Sequence, residues 1–199
     1  MAGLLIVIAA IAAALGPRLP ASSSSTPASP DGTPLHEDPG LRGGHGGALG
    51  EADGAVPDGT TVFDDEVPGV ARLDRALLGA LRNAATEAAG DGVELHVDSG
   101  WRSPAYQEQL LREAVRKYGS EAEASRWVAA PNRSAHVSGD AVDIGPSGAM
   151  AWLSEHGAEY GLCQIYANEP WHYELRSDAT YRACPPTYAD PTHDPGLRQ

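Results

Sequence analysis

Residues 134–145, Ser-Ala-His-Val-Ser-Gly-Asp-Ala-Val-Asp-Ile-Gly, set one histidine among small residues, turn at a glycine and then sink an aspartate into an apolar run. A carboxylate in such surroundings is costly unless something positive meets it. In extended backbone, alternate side chains share a face, so Ser134 and His136 are expected to point the same way, and Gly139 permits a turn that returns Asp143 beside them. His136 and Asp143 make half of a metal site. A second histidine stands in residues 168–175, Asn-Glu-Pro-Trp-His-Tyr-Glu-Leu, where Trp171, Tyr173 and Leu175 form one face of a strand and His172 and Glu174 the other. Pro170 argues against a helix there. Two histidines and one aspartate suit a catalytic zinc with an open fourth position. Glu169, three residues before His172, stands where a carboxylate reaches the activated water as general base. Each half is weak alone: a lone His-Asp pair is usually a surface hydrogen bond, and Glu-x-x-His recurs by chance.

Positioning these groups requires a scaffold, and its elements are legible. Leu73, Leu77, Leu78, Leu81, Ala85 and Ala88 recur on one helical face, with Asp74 placed to cap the start and Gly90 to end it. Residues 93–97 alternate apolar and polar and predict a strand whose His96 faces out. Ser103 caps the next helix, Pro104 suits its first position and Gly119 ends it, which puts Arg102 at a strand-to-helix corner. A shorter helix is predicted over 121–129, a strand over 141–145, a helix over 147–161, and strands over 162–166 and 171–175 separated by a turn. The order predicts an α+β fold with a small, mainly antiparallel sheet, helices packed around it and the zinc site at the sheet. Trp101, Trp152 and Trp171 are expected in the core or as pocket walls.

The rest of the 199 residues frames that domain. Residues 1–16 carry an apolar run from Leu4 to Leu15, long enough for the core of a signal peptide and short for a membrane span, so a signal peptide or short membrane anchor is expected. Residues 17–60, rich in Pro, Ser and Gly, cannot bury enough surface to order themselves and predict a linker in which His36 and His45 are solvated. Such a linker spans roughly 35 Å as a flexible coil, enough to hold a domain off a membrane. The catalytic domain is placed at 61–190 and a tail at 191–199. The net charge of -13, with Lys and Arg scattered singly, offers no basic stripe for phosphates, so no nucleic-acid partner is expected. Cys163 and Cys184 are the two cysteines, and an even count in an exported chain favours a disulfide between them. A monomer is expected.

Ser134, His136, Gly139, Ala141 and Asp143 spell Ser-x-His-x-x-Gly-x-Ala-x-Asp. Glu-Pro-Trp-His follows at 169–172, and Ser-Gly-Trp-Arg-Ser precedes at 99–103 with Gln107 five residues beyond the arginine. In this order the three motifs resemble the VanY-type D-alanyl-D-alanine carboxypeptidase family of zinc peptidases, over roughly residues 62–175. The resemblance implies His136, Asp143 and His172 as zinc ligands, Glu169 as the base and Arg102 as the cation facing the scissile carbonyl. It implies Ser134 and Gln107 as substrate contacts. The expected activity is removal of the terminal D-alanine from peptidoglycan stem peptides by direct attack of water, in an extracytoplasmic protein that is secreted or membrane-anchored. The rivals are a wall endopeptidase of the same family, a zinc-retaining wall-binding module without hydrolysis, and a non-haem iron oxygenase with the same ligand types. The presence of Glu169 favours an enzyme, and the helix-rich order leaves too few strands for an oxygenase barrel.

Overall fold

A computed structural model describes residues 49–198, so the N-terminal apolar run and most of the linker, with His36 and His45, lie outside the described residues. The helices are α1 (Pro68–Ala71), α2 (Arg75–Gly90), α3 (Pro104–Tyr118), α4 (Glu121–Ala124), α5 (Ala135–Ser138), α6 (Ser147–His156) and α7 (Ala179–Arg182). The strands are β1 (His96–Ser99), β2 (Ala141–Gly145), β3 (Leu162–Gln164) and β4 (His172–Leu175). They form one sheet in the order β1-β2-β4-β3, with every pair antiparallel, so the α+β architecture is the one expected. Among the described residues no helix is long and apolar enough to cross a membrane.

The two long helices start and stop where their sequences dictate. Asp74 accepts from the amides of Ala76 and Leu77 and so caps α2. Ser103 accepts from Tyr106 and caps α3, with Pro104 in its first turn and Gly119 in the left-handed conformation at its end. Leu77, Leu81, Ala84 and Ala88 of α2 and Trp152 and Leu153 of α6 bury one face of the sheet through Val97, Val142, Ile144 and Tyr173. Each large apolar side chain removed from water in this way contributes about 1.5–3 kcal/mol. Since alternate residues of a strand face opposite ways, seating Val142, Ile144 and Tyr173 in this core turns Asp143 and His172 to the other side.

Several local expectations shift. The first strand runs 96–99, not 93–97, because the Val93 amide is still bonded to the Ala88 carbonyl and the chain leaves α2 before it joins the sheet. Residues 121–129 are helical only to Ala124. The segment 147–161 is helical to His156 and continues as a 3-10 turn, Gly157–Tyr160. Ser134 to His136 is not extended: Ser134 is the N-cap of α5, and the turn is closed by the Gly139 amide on His136 and the Asp140 amide on Ala135. Gly139 has φ +85° there, and a Cβ on it would stand 2.6 Å from the Arg72 carbonyl, so glycine alone fits.

Ordered chain extends beyond the expected domain at both ends. Before Thr61, Val56 lies in the core and Asp53 receives both the amide and the hydroxyl of Ser103. After residue 190 the chain forms two 3-10 turns, Pro191–His193 and Pro195–Arg198. The reason is the same at both ends: carboxylates in a Pro- and Gly-rich stretch gain donors only once the fold brings them close. Cys163 and Cys184 are joined in a disulfide that ties β3 to the chain leading into this last segment.

Candidate functional site

Three neighbouring strands carry the site in one row. Asp143 of β2 lies opposite His172 of β4 on one side and Ser99 of β1 on the other. Side chains directly across adjacent strands share a face, so this register alone brings an aspartate and a histidine together. His136 arrives from α5, which is locked to the Ser-Gly-Trp-Arg-Ser corner from both sides. Its Nδ1 is 2.8 Å from the Gly100 carbonyl, and its own carbonyl accepts from the Arg102 amide at 3.1 Å.

The approach of the three ligand-type atoms is close and even. His136 Nε2 is 3.3 Å from His172 Nδ1, His172 Nδ1 is 3.2 Å from Asp143 Oδ1, and His136 Nε2 is 3.4 Å from Asp143 Oδ1. Ligand atoms about 2.0–2.1 Å from a tetrahedral zinc stand roughly 3.3–3.4 Å from one another, so this triangle fits the ion without rearrangement. The outer partners fix the ring chemistry as a metal requires. With its Nδ1 hydrogen donated to Gly100, His136 keeps a free Nε2; with its Nε2 hydrogen donated to Glu174 at 3.3 Å, His172 keeps a free Nδ1. Glu174 is in turn held by Arg176 at 2.8 Å. All three ligand residues are buried.

Glu169 enters from the turn before β4. Its Oε2 is 3.7 Å from His172 Nδ1, and its Oε1 is a buried oxygen with no hydrogen-bond partner among the described residues. An unpartnered carboxylate oxygen beside a three-donor cluster is placed to take a proton from a molecule bound there. Arg102 divides its guanidinium between Ser99 Oγ (2.8 Å from Nε), Gln107 Oε1 (3.2 Å from Nη1) and Asp143 Oδ2 (3.0 Å from Nη2). Two of its five hydrogens remain free of these contacts.

Charge and burial pull the groups apart. Burial opposes the ionised form of Asp143, but the neighbouring His136, hydrogen bonds to both histidines and the Arg102 charge outweigh it and hold the carboxyl well below its usual range. Burial and then the Arg102 charge push His136 down. Without a bound ion, burial also disfavours charge on His172, yet its bonds to Asp143 and Glu174 prevail and raise it to about 10, so a cation in the triangle would have to displace the Nδ1 proton. Burial lifts Glu169 to about 8, against the opposing pull of His172. Asp143 and Glu169 are thus two buried carboxyls with opposite shifts, one suited to hold a cation and the other to accept a proton.

All the residues picked from the sequence line one cavity, the disulfide cysteines aside. Their situations differ. Ser134 caps α5 by position only, with no hydrogen bond from its hydroxyl to the helix. Gln107 is 1% exposed, with its Oε1 on Arg102 and its Nε2 on the Ala129 carbonyl at 2.8 Å, so its amide is engaged at both ends within the protein. Trp171 lines the cavity, Trp152 packs in the core and Trp101 lies under the Arg72 guanidinium at 4.2 Å. His96 stays apart from the site, paired with Glu94 at 3.0 Å. From the sequence alone, Ser99 and Glu174 carry no role in the site, and Arg176 and Trp127 do not stand out. The signal for Glu174 was its place two residues after His172 on the same strand face; Arg176 and Trp127 carried none.

Comparison with known proteins gives a consistent result. Residues 70–178 match the family described as VanY: D-alanyl-D-alanine carboxypeptidase. A D-alanyl-D-alanine carboxypeptidase of Enterococcus faecalis is 32% identical over 127 residues, 51% of this chain and 47% of the relative, so the chain spans about half the length of the curated relative it matches. Among solved structures, the LdcB LD-carboxypeptidase superposes with a TM-score of 0.52 at 24% identity, covering 66% of this chain and 71% of that one. The VanY D,D-pentapeptidase of a VanB-type vancomycin-resistance cassette, solved with Zn(II), gives 0.49 at 30% identity over 52% of this chain and 72% of that one.

Proposed function

From the premise that this chain belongs to the VanY family of D-alanyl-D-alanine carboxypeptidases, we propose that it is a zinc peptidase removing the terminal D-alanine from peptidoglycan stem peptides. The observation that carries the reading is the triangle of His136 Nε2, His172 Nδ1 and Asp143 Oδ1, with sides of 3.2–3.4 Å and, beside it, the Glu169 carboxylate, whose Oε1 has no hydrogen-bond partner among the described residues. Two imidazole nitrogens and one carboxylate leave a tetrahedral zinc one open position, as catalytic sites require. Zinc held there supplies Lewis acidity, which acidifies water and polarises a carbonyl.

The chain's own groups account for the remaining steps. Glu169 accepts a proton from water as its oxygen attacks the carbonyl carbon of the terminal peptide bond, and passes that proton to the departing amine of D-alanine. No side chain becomes acylated. The free guanidinium hydrogens of Arg102 face the charge that develops on the carbonyl oxygen, and fixed donors there are worth about two to three orders of magnitude in rate. Gln107 and Ser99 serve this indirectly, by holding the guanidinium plane. Ser134 lines the same cavity and is assigned to the substrate. The substrate polymer lies outside the cytoplasmic membrane. The apolar N-terminal run and the disulfide therefore support an extracytoplasmic protein, secreted or tethered by its first residues.

The test is mass spectrometry of a stem pentapeptide ending in D-Ala-D-Ala after incubation with the zinc-loaded full chain. Loss of one alanine residue is expected. An intact peptide, with the protein folded and carrying one zinc, would refute the activity and favour a zinc-retaining binding module.

A further inference from the structure

We propose that the C-terminal strap, residues 190–197, is a wall of the substrate cleft, and that Leu197 and Pro191 set the size of the residue the cleft accepts. The inference rests on the function proposed above and names its specificity element. The strap lies outside residues 70–178, the part matched to the family. Yet Pro191 and Leu197 line the same cavity of about 130 Å³ as His136, Asp143, Glu169 and His172. The same cavity is lined by apolar groups of α3 and of the segment after α4, namely Leu110, Ala114, Trp127 and Val128. A cleft bounded by apolar side chains discriminates by the volume that its walls leave.

A wall can select only if it is held, and this strap has three fastenings. Asp190, fully buried, accepts from Arg126 Nε at 3.0 Å, from the Thr192 amide at 3.0 Å and from His193 Nδ1 at 2.9 Å. Asp194, also buried, accepts from the Tyr166 hydroxyl at 3.2 Å and from the Gly196 amide at 2.7 Å. The chain leading into the strap is tied to β3 by the disulfide and to the strand's continuation by the Tyr188 amide on Ile165 and the Ala167 amide on Tyr188. Arg126 also joins the strap to the catalytic turn, because its carbonyl accepts from Asn168 Nδ2 at 2.9 Å and Asn168 is next to Glu169. Leu197 is packed against Cys163, Ile165 and Tyr166 from one side and borders the cavity on the other.

The experiment compares kcat/KM of the zinc-loaded full chain and two variants, Leu197→Ala and Asp190→Asn, on three stem peptides. One ends in D-Ala-D-Ala, and the others carry D-leucine at the terminal or the penultimate position. The parent is expected to favour the alanine peptide. Leu197→Ala is expected to narrow that preference by roughly tenfold for at least one leucine peptide, the size of effect that removed apolar bulk produces in such pockets. Asp190→Asn should narrow it in the same direction. An unchanged preference in Leu197→Ala, while it still cleaves the alanine peptide, would overturn the proposal whatever Asp190→Asn does, since loss of one partly exposed side chain leaves the fold intact. An equal loss on all three peptides together with a lowered melting temperature would reduce the strap to a structural part. No cleavage of the alanine peptide by the parent would sink the proposed activity, and the strap's role with it.

Discussion

Asp143 and Glu169 are buried carboxyls of one cavity, and their neighbours alone give them different work. Asp143 is met by Arg102 and two imidazoles and is held as an anion, whereas Glu169 has one oxygen without a partner and is pushed up to about 8 by burial. Glu169→Gln fills the same space and cannot accept a proton. It is therefore expected to keep its zinc and lose about two to four orders of magnitude in kcat, measured at matched metal content. The sign of the pH dependence follows from the same shift. If Glu169 is the base proposed above, it works only when ionised, so the acid limb of kcat/KM should lie above the range near pH 4.3 of an ordinary glutamate, and activity should fall as pH drops through it. Glu174 touches no reacting atom; it positions His172 by holding Nε2. Glu174→Gln should weaken zinc binding by about ten- to a hundredfold, read in a competition titration against a chelating dye, and wild-type affinity would count against that role.

At the scale of elements, what matters is the register across β1, β2 and β4 and the attachment of the strap. The Asp143–His172 pairing converts a separation of 29 residues in sequence into neighbours, and the apolar seating of Val142 and Tyr173 keeps it from slipping. The strap is held by charge and by a covalent link, and each has a signature. Asp190 sits at about 2, chiefly because its bonds to Thr192, His193 and Arg126 outweigh burial. A carboxyl depressed in the fold contributes stability above its unfolded value near 3.9, and that contribution is lost as pH falls through about 2. Acid between pH 4 and 2 should thus release residues 190–197, seen as faster amide exchange there than in α3, whose N-cap is the neutral Ser103 hydroxyl. The disulfide closes a separation of 21 residues, so replacing Cys163 and Cys184 by serine should cost about 3 kcal/mol in denaturant unfolding.

For the molecule as a whole, the site is a joint between parts that do not fold next to one another in sequence. His136 comes from α5, Asp143 from β2, His172 from β4 and Arg102 from the corner before α3. An ion bound by His136, Asp143 and His172 is held only in the native state, so it should stabilise the fold by mass action. Exhaustive chelation is expected to lower the melting temperature and abolish alanine release, and zinc should restore both. Unaltered melting of protein shown to be metal-free would mean that the triangle does not hold a cation of consequence.

The sequence by itself determined which residue types stand in the site and where the main elements run. Small residues around His136, a glycine that alone fits the turn at 139, and Pro170 before a strand whose polar face carries His172 are local choices with local causes, and each is visible in a short window. Helix limits at Asp74, Ser103 and Gly119 were legible for the same reason, since capping is a contact between near neighbours. The tertiary structure decided what depends on pairs far apart in the chain: that Gln107 is engaged by Arg102 and Ala129, that Glu174 faces the outer nitrogen of a ligand, and that the proline-broken tail becomes a cleft wall. A residue such as Arg126 has no pattern around it to mark its role. Asp190, 64 positions away in sequence, becomes its partner only when the fold has excluded water from the carboxylate, and that exclusion is a property of packing.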